Sequence, residues 1–263
     1  MKRVENKIAL ITGASRGIGA AVSQLLVAEG AQVILTDILD SLGKNLADSL
    51  NSEYYHLDVS SEDNFAEVFE LVNQKYGRLD ILVNNAGTTG LSEDLGPQDP
   101  EKMSLSAWHY IHGVNLDGVF LGCKYGIKMM KRHGGSIINI SSRSGMVGIP
   151  RSVAYASSKA AVRNHTKSVA LYCAEEKYKI RCNSIHPGAI LTPMWEEMLG
   201  QDDITRSTVL ASIASAIPLG HMGEALDVAH AVLFLASDES KYITGAEFTI
   251  DGGILAGSSA SPK

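Results

Sequence analysis

The chain has 263 residues, 45% of them apolar and 20% charged, with a formal net charge of −6. That balance is globular and excludes a disordered polymer. The acidic surplus excludes nucleic acid and anionic membrane as main partners, because both demand a basic surface. No run reaches the roughly 18 apolar residues of a membrane span, and the amino-terminal apolar run is too short for a secretory signal. A cytoplasmic protein is expected.

Short β-branched runs alternate with longer amphipathic ones along the whole chain. A strand over residues 8–12 runs directly into Gly13-Ala14-Ser15-Arg16-Gly17-Ile18-Gly19, which opens a helix over 18–28. Glycines let the backbone approach a pyrophosphate, and a helix amino terminus offers it unpaired N–H groups. The strand before and the helix after are the context this reading needs. The next strand, 32–36, ends at Asp37, which is 18 residues past Gly19. An acid at roughly 20 residues' distance grips ribose hydroxyls and repels a 2′-phosphate, which favours NAD over NADP. Arg16 argues the other way, since an arginine in the turn can reach that phosphate.

The chain continues with a helix over 41–50, a strand over 54–57 leading into Asp58 and Val59, a helix over 62–76, and a strand over 81–84. Asn85-Ala86-Gly87 follows, then a Gly-, Pro- and acid-rich stretch, 88–106, read as irregular. A long helix is predicted over 107–132, with Asn115 inside it, then a strand over 136–140 ending near Ser141 and Ser142. A helix over 152–177 carries Tyr155 and Lys159, and a strand over 181–185 leads to Pro187-Gly188. Residues 190–216 again read as irregular, before a helix over 225–235, a strand over 247–250 and a mobile Gly- and Ser-rich tail from 256. The alternation predicts one α/β domain over 1–263: a doubly wound parallel sheet of about seven strands with helices on both faces. The stretches 88–106 and 190–216 leave strand ends, where such sheets form their ligand crevice.

Tyr155 and Lys159 are four apart on a predicted helix and so share a face. A free phenol has a pKa near about 10 and is a poor base at neutral pH. A neighbouring ammonium lowers it, which makes Tyr155 the general acid/base and Lys159 its tuner. Ser142, 13 residues before Tyr155, can hold a substrate oxygen near the phenol.

These pieces resemble the short-chain dehydrogenase/reductase family over nearly the full chain. They are Thr12 to Gly19, Asp58-Val59, Asn84-Asn85-Ala86-Gly87, Asn115, Ser142, Tyr155-Ala156-Ser157-Ser158-Lys159 and Pro187-Gly188, in that order. The resemblance implies a Rossmann fold and an enzyme that moves a hydride between a nicotinamide cofactor and a secondary alcohol or ketone. It selects Ser142 over Ser141 and implies that Lys159 also binds the nicotinamide ribose. Asn115 would anchor a water in the proton path, although a purely structural bond to backbone is the alternative. Asp58 and Val59 would flank the adenine, Asn85, Ala86 and Gly87 would lie along the cofactor, and Pro187, Gly188, Ile190 and Thr192 would close over the nicotinamide end. A homotetramer built through 107–132, 152–177 and 247–250 is also implied. His221 and Ala225 stand where many relatives have arginine and proline.

The stretch 121–187 is similar to bacterial hydroxysteroid and cyclic-alcohol dehydrogenases, which points to a bulky or alicyclic small-molecule substrate. A competing reading is an NADPH-dependent 3-oxoacyl-thioester reductase that uses Arg16; Asp37 argues against it. A third is a catalytically silent nucleotide-binding sensor, which the intact Ser142, Tyr155 and Lys159 set disfavours. The eight histidines show no metal-ligand spacing, so no metal is expected, and Cys123, Cys173 and Cys182 read as buried free thiols. Met194-Trp195-Glu196-Glu197-Met198 reads equally as a packed short helix or as an apolar lid.

Overall fold

The computed structural model describes residues 2–200 and 202–257, apart from the side chain of Glu197. Most of the expected Gly- and Ser-rich tail lies outside these residues. Aliphatic runs buried on both sides make the central strands: all five residues of β1 (Ile8–Thr12) are buried, as a parallel sheet covered on both faces requires. The chain continues as α1 (Gly17–Ala28), β2 (Gln32–Asp37), α2 (Asp40–Ser49), β3 (Glu53–His56), α3 (Glu62–Tyr76), β4 (Ile81–Asn84), α4 (Leu105–His112), α5 (Gly118–Met130) and β5 (Gly135–Ile140). Then follow α6 (Val153–Glu175), β6 (Ile180–Pro187), β7 (Ile190–Leu191), α7 (Glu196–Leu199), α8 (Asp203–Ser215), β8 (Gly223–Glu224), α9 (Ala225–Ala236) and β9 (Glu247–Ile250).

Seven strands form one parallel sheet in the order β3-β2-β1-β4-β5-β6-β9. The period of two sends Ile8 and Leu10 to one face and Ala9 and Ile11 to the other. The first face packs on α3, α5 and α6 through Phe65, Val119 and Val162. The second packs on α1 and α9 through Val22, Leu26, Val228 and Val232. The order reverses between β1 and β4, so the loops leaving these two neighbours diverge and open a crevice at the carboxyl edge. Local signals agree with the tertiary result at α3, where the Ser61 hydroxyl accepts from Asn64 N at 3.3 Å and Gly77, at φ 66°, ends the helix.

The predicted sheet strands and most predicted helices fall within two residues of those observed. Two expectations are corrected. The single helix over 107–132 is α4 and α5 joined by a π-helical turn, Gly113–Asp117, that contains Asn115. The Asn115 side chain bonds the backbone of Thr88 instead of solvent, which draws this turn toward the end of β4. The stretch 190–216 is not irregular: it holds β7, a 3₁₀ turn at Pro193–Trp195, α7 and α8. Asp202 caps α8 by accepting from Thr205 N at 2.9 Å, Gly200 separates the two helices at φ 83°, and Arg206 pairs with Glu196. No side chain of α8 is fully buried; its apolar residues Val209, Leu210, Ile213 and Ala214 are half-buried on one face, a short stripe that the reading of 190–216 passed over. The three cysteines are buried and unpaired, as expected. Among the described residues, no helix is long and apolar enough to cross a membrane.

Phe65 is fully buried, with its ring 6.1 Å from Phe69 and 6.0 Å from Tyr125. Phe65→Ala is expected to cost about 3–5 kcal/mol, read as a lower midpoint in urea unfolding; an unchanged midpoint would contradict this packing.

Candidate active site

The glycine turn is built against the end of β4. The Thr12 hydroxyl accepts from Asn85 N at 3.0 Å and Ala86 N at 3.1 Å. The Asn85 amide donates back to the carbonyls of Thr12 at 3.0 Å and Gly13 at 2.9 Å. A side chain has no room here. Gly13 sits at φ 63°, where a Cβ would lie 2.7 Å from Ala86 Cα, and a Cβ on Gly19 would lie 2.1 Å from the Gly13 carbonyl. The turn therefore brings its own backbone up to the α1 amino terminus, which fits a pyrophosphate. Thr192 comes to the same turn: a Cβ on Gly17 would be 3.5 Å from its Cβ.

Asp37 is buried at the end of β2. Its carboxylate accepts from Ser15 N at 2.9 Å, Ile38 N at 2.8 Å and Leu39 N at 3.1 Å. A carboxylate offers about four acceptor positions, so one stays free of these bonds. Arg16 is exposed, while the Ser15 hydroxyl is turned inward and has no partner. Ile18 lies in the first turn of α1. The Asp58 carboxylate accepts from Ser60 N at 2.9 Å and from its hydroxyl at 2.7 Å, shaping the entry to α3, and Val59 packs under Gly118. Gly188 N is tied to the Ile250 carbonyl at 2.8 Å, which fixes Pro187-Gly188 at the sheet edge, and Ile190 is buried in β7.

The second half of the site gathers around α6. Ser141 donates to the Lys159 carbonyl at 2.8 Å and so faces the helix. Ser142 instead caps the short 3₁₀ turn Arg143–Gly145, with Ser144 N 3.1 Å from its hydroxyl, and lies beside the Tyr155 hydroxyl. This geometry explains why the second serine of the pair is the candidate. Lys159 is buried and donates to the Ile140 carbonyl at 2.9 Å. Asn115 is fully buried; its amide donates to the Thr88 carbonyl at 2.9 Å and to Ser158 Oγ at 3.2 Å, and its oxygen accepts from Thr88 N at 2.8 Å. Gly87 joins the two halves, since a Cβ there would lie 3.1 Å from Asn115 Oδ1 and 3.2 Å from Lys159 Nζ.

Burial dominates the electrostatics of both groups. Burial raises the Tyr155 phenol above its ordinary value, and the Ser142 hydroxyl and the Arg143 guanidinium oppose that rise. The Lys159 nitrogen is 5.9 Å from the Tyr155 ring centre and donates one N–H to Ile140, and burial pulls its own pKa to about 8. Helical spacing brought the two together but could not show that desolvation dominates both. Sequence reasoning also passed over Arg143 and Thr88. Arg143 directly follows Ser142, and that adjacency was the available signal.

Comparison with known proteins agrees with this geometry. The family described as "Enoyl-(Acyl carrier protein) reductase" matches residues 13–255. The chain is 39% identical over 260 residues to an NADP-dependent (R)-specific alcohol dehydrogenase of Lentilactobacillus kefiri, covering 97% of this chain and 98% of that one. It is 42% identical over 258 residues to a 3-alpha-(or 20-beta)-hydroxysteroid dehydrogenase of Mycobacterium tuberculosis, covering 97% and 92%. The ligand-free aldohexose dehydrogenase of Thermoplasma acidophilum superposes with a TM-score of 0.90 at 32% identity, covering 100% of this chain and 99% of that one.

If the Arg143 cation acts on the phenol, Arg143→Ala should move the Tyr155 titration to higher pH, because a removed cation no longer favours the phenolate. Carbon-13 labelled tyrosine followed by NMR across alkaline pH reads the shift. A midpoint that stays put or falls would remove Arg143 from this role.

Proposed function

Because the chain belongs to the short-chain dehydrogenase/reductase family, whose relatives act on CH–OH groups, we propose that it is an NAD-dependent oxidoreductase of bulky or alicyclic secondary alcohols and their ketones. The meeting of Ser142 and Tyr155 beside the Gly87–Asn115–Lys159 group carries the reading. When bound, the nicotinamide supplies the acceptor or donor of hydride. The Ser142 hydroxyl holds the substrate oxygen, and Tyr155 takes or returns its proton. Lys159 and Asn115, buried together beside Gly87 and held by the backbone of Ile140 and Thr88, would carry the proton onward from the phenol. Lys159, beside Gly87, would hold the nicotinamide ribose, and Pro187, Gly188, Ile190 and Thr192 would close over the nicotinamide end. Gly13, Ser15, Arg16, Gly17, Ile18 and Gly19 hold the pyrophosphate, and Asp58, Val59, Asn85 and Ala86 extend the cofactor cleft.

The buried negative charge of Asp37 at the end of β2 supports NAD over NADP. The exposed Arg16, and the cofactor in the name of the Lentilactobacillus kefiri relative, support NADP instead, the cofactor that the alternative, a 3-oxoacyl-thioester reductase, would use. Exposed Leu191, Met194 and Met198 after Gly188 support an apolar substrate wall, as does the steroid in the name of the mycobacterial relative. A homotetramer through α5, α6 and β9 belongs to the same reading; Phe120, Leu171 and Tyr172 leave apolar surface on those helices at 49%, 71% and 48% exposure.

A panel of cyclic and linear secondary alcohols, followed at the reduced-nicotinamide absorbance with each cofactor, tests the activity. Tyr155→Phe should lose turnover by about 10²-fold or more while cofactor affinity is retained. Turnover like that of the unaltered protein would take Tyr155 out of the acid/base role. Asp37→Ala should lower the NAD-to-NADP ratio of kcat/KM by about tenfold or more. The ratio cancels any general loosening of the turn that Asp37 helps to hold, and an unchanged ratio would mean that another group reads the ribose.

A further inference from the structure

One buried histidine remains outside the cofactor cleft and the proton path. His186 lies on β6 directly before Pro187, has no exposed surface, and sits opposite Thr249 on β9. Its Nδ1 is 3.2 Å from the Ser142 carbonyl, and its Nε2 is 2.8 Å from Ser184 Oγ. A carbonyl only accepts, so the Nδ1 facing it carries the ring proton; in a neutral ring Nε2 then accepts from the Ser184 hydroxyl. Burial pulls the imidazole pKa below its ordinary value and keeps it in that neutral form. The preceding residue adds a second tie, since Ser141 N donates to the Ile185 carbonyl at 2.8 Å.

We infer that His186 is a positioning residue for Ser142, fixing through the Ser142 carbonyl where the serine hydroxyl stands relative to Tyr155. The inference rests on the dehydrogenase reading above. Ser142 is held by β6 on its backbone side and meets Tyr155 on its hydroxyl side. Both peptide ties come from the two residues just before Pro187-Gly188. The strand end that reaches the cofactor cleft therefore also sets the substrate-holding serine. The Ser142 carbonyl also accepts from Gly145 N at 3.0 Å, a bond within its own 3₁₀ turn, so an apolar side chain at 186 would fill the same space but remove the one bond from that carbonyl to the sheet. The turn would then be held to β6 only through Ser141, and a displacement of about 1 Å at a reacting group costs on the order of 10²-fold in rate.

Three variants test this. His186→Phe keeps the volume and removes both ring nitrogens. His186→Asn keeps a donor near Nδ1, and His186→Gln keeps one only near Nε2. With an alcohol that the protein oxidises, His186→Phe and His186→Gln should lose kcat by about tenfold or more, with the KM for cofactor unchanged. His186→Asn should stay within about threefold of the unaltered protein. Adding Ser142→Ala to His186→Phe should cost far less than Ser142→Ala alone, because the two act as one unit. Independent, additive losses, or rescue by Gln and not by Asn, would overturn the inference. Crystal structures of the Phe and Asn variants read the position of Ser142 without any substrate. A displaced hydroxyl in Phe that returns in Asn supports the role, and an unmoved hydroxyl in Phe refutes it even if no alcohol is turned over. Failure of the alcohol panel in the unaltered protein counts against the dehydrogenase reading alone.

Discussion

The site depends on a reciprocal set of hydrogen bonds between Thr12 at the end of β1 and Asn85-Ala86 at the end of β4. These two strands are neighbours at the point where the strand order reverses. Their loops leave in opposite directions, so the backbone there has no following sheet partner. Thr12 and Asn85 supply the missing partners from side chains, which satisfies buried polar groups that would otherwise cost about 1–3 kcal/mol each. Once the turn is pinned, Gly13 and Gly19 can pack closer than any Cβ allows. The α1 amino terminus then faces the crevice, and Gly87 is carried up to Asn115 and Lys159.

The rest of the site is built outward from that edge by the same device, a buried polar side chain answering a particular backbone group. Asn84 lies opposite Asn139 in register and donates to it at 2.8 Å, and Asn139 donates on to Thr166 at 2.9 Å. This chain runs from β4 through β5 into α6, the helix that carries Tyr155 and Lys159. Asn115 does the same between the π-helical turn and Thr88, and His186 between β6 and Ser142. Such networks strengthen one another in a low-dielectric interior. They leave the side chains of the candidate site little freedom to drift, which suits chemistry that depends on placement.

Burial also sets the protonation state of the site. Lys159 is a buried amine that donates to a backbone carbonyl, and Tyr155 is a phenol beside a hydroxyl and a guanidinium. Desolvation disfavours the charged form of each, so it pulls the amine down and pushes the phenol up. In the protein without cofactor, the two are therefore held closer to neutral than their helical spacing alone suggests.

The sequence by itself determined the order of strands and helices, the glycine turn, Asp37, and the identities of Ser142, Tyr155 and Lys159. These are local patterns: a period of two, a helical period, and residue types at fixed offsets, each readable within a short window. The tertiary structure alone decided the π-helical break at Asn115 and the helix α8, which only half-buries its apolar face. It also decided the direction in which each pKa moves and the contact of His186 with a carbonyl 44 residues away. The reason is physical: desolvation and long-range hydrogen bonding depend on which distant segments surround a group, and no spacing along the chain encodes that.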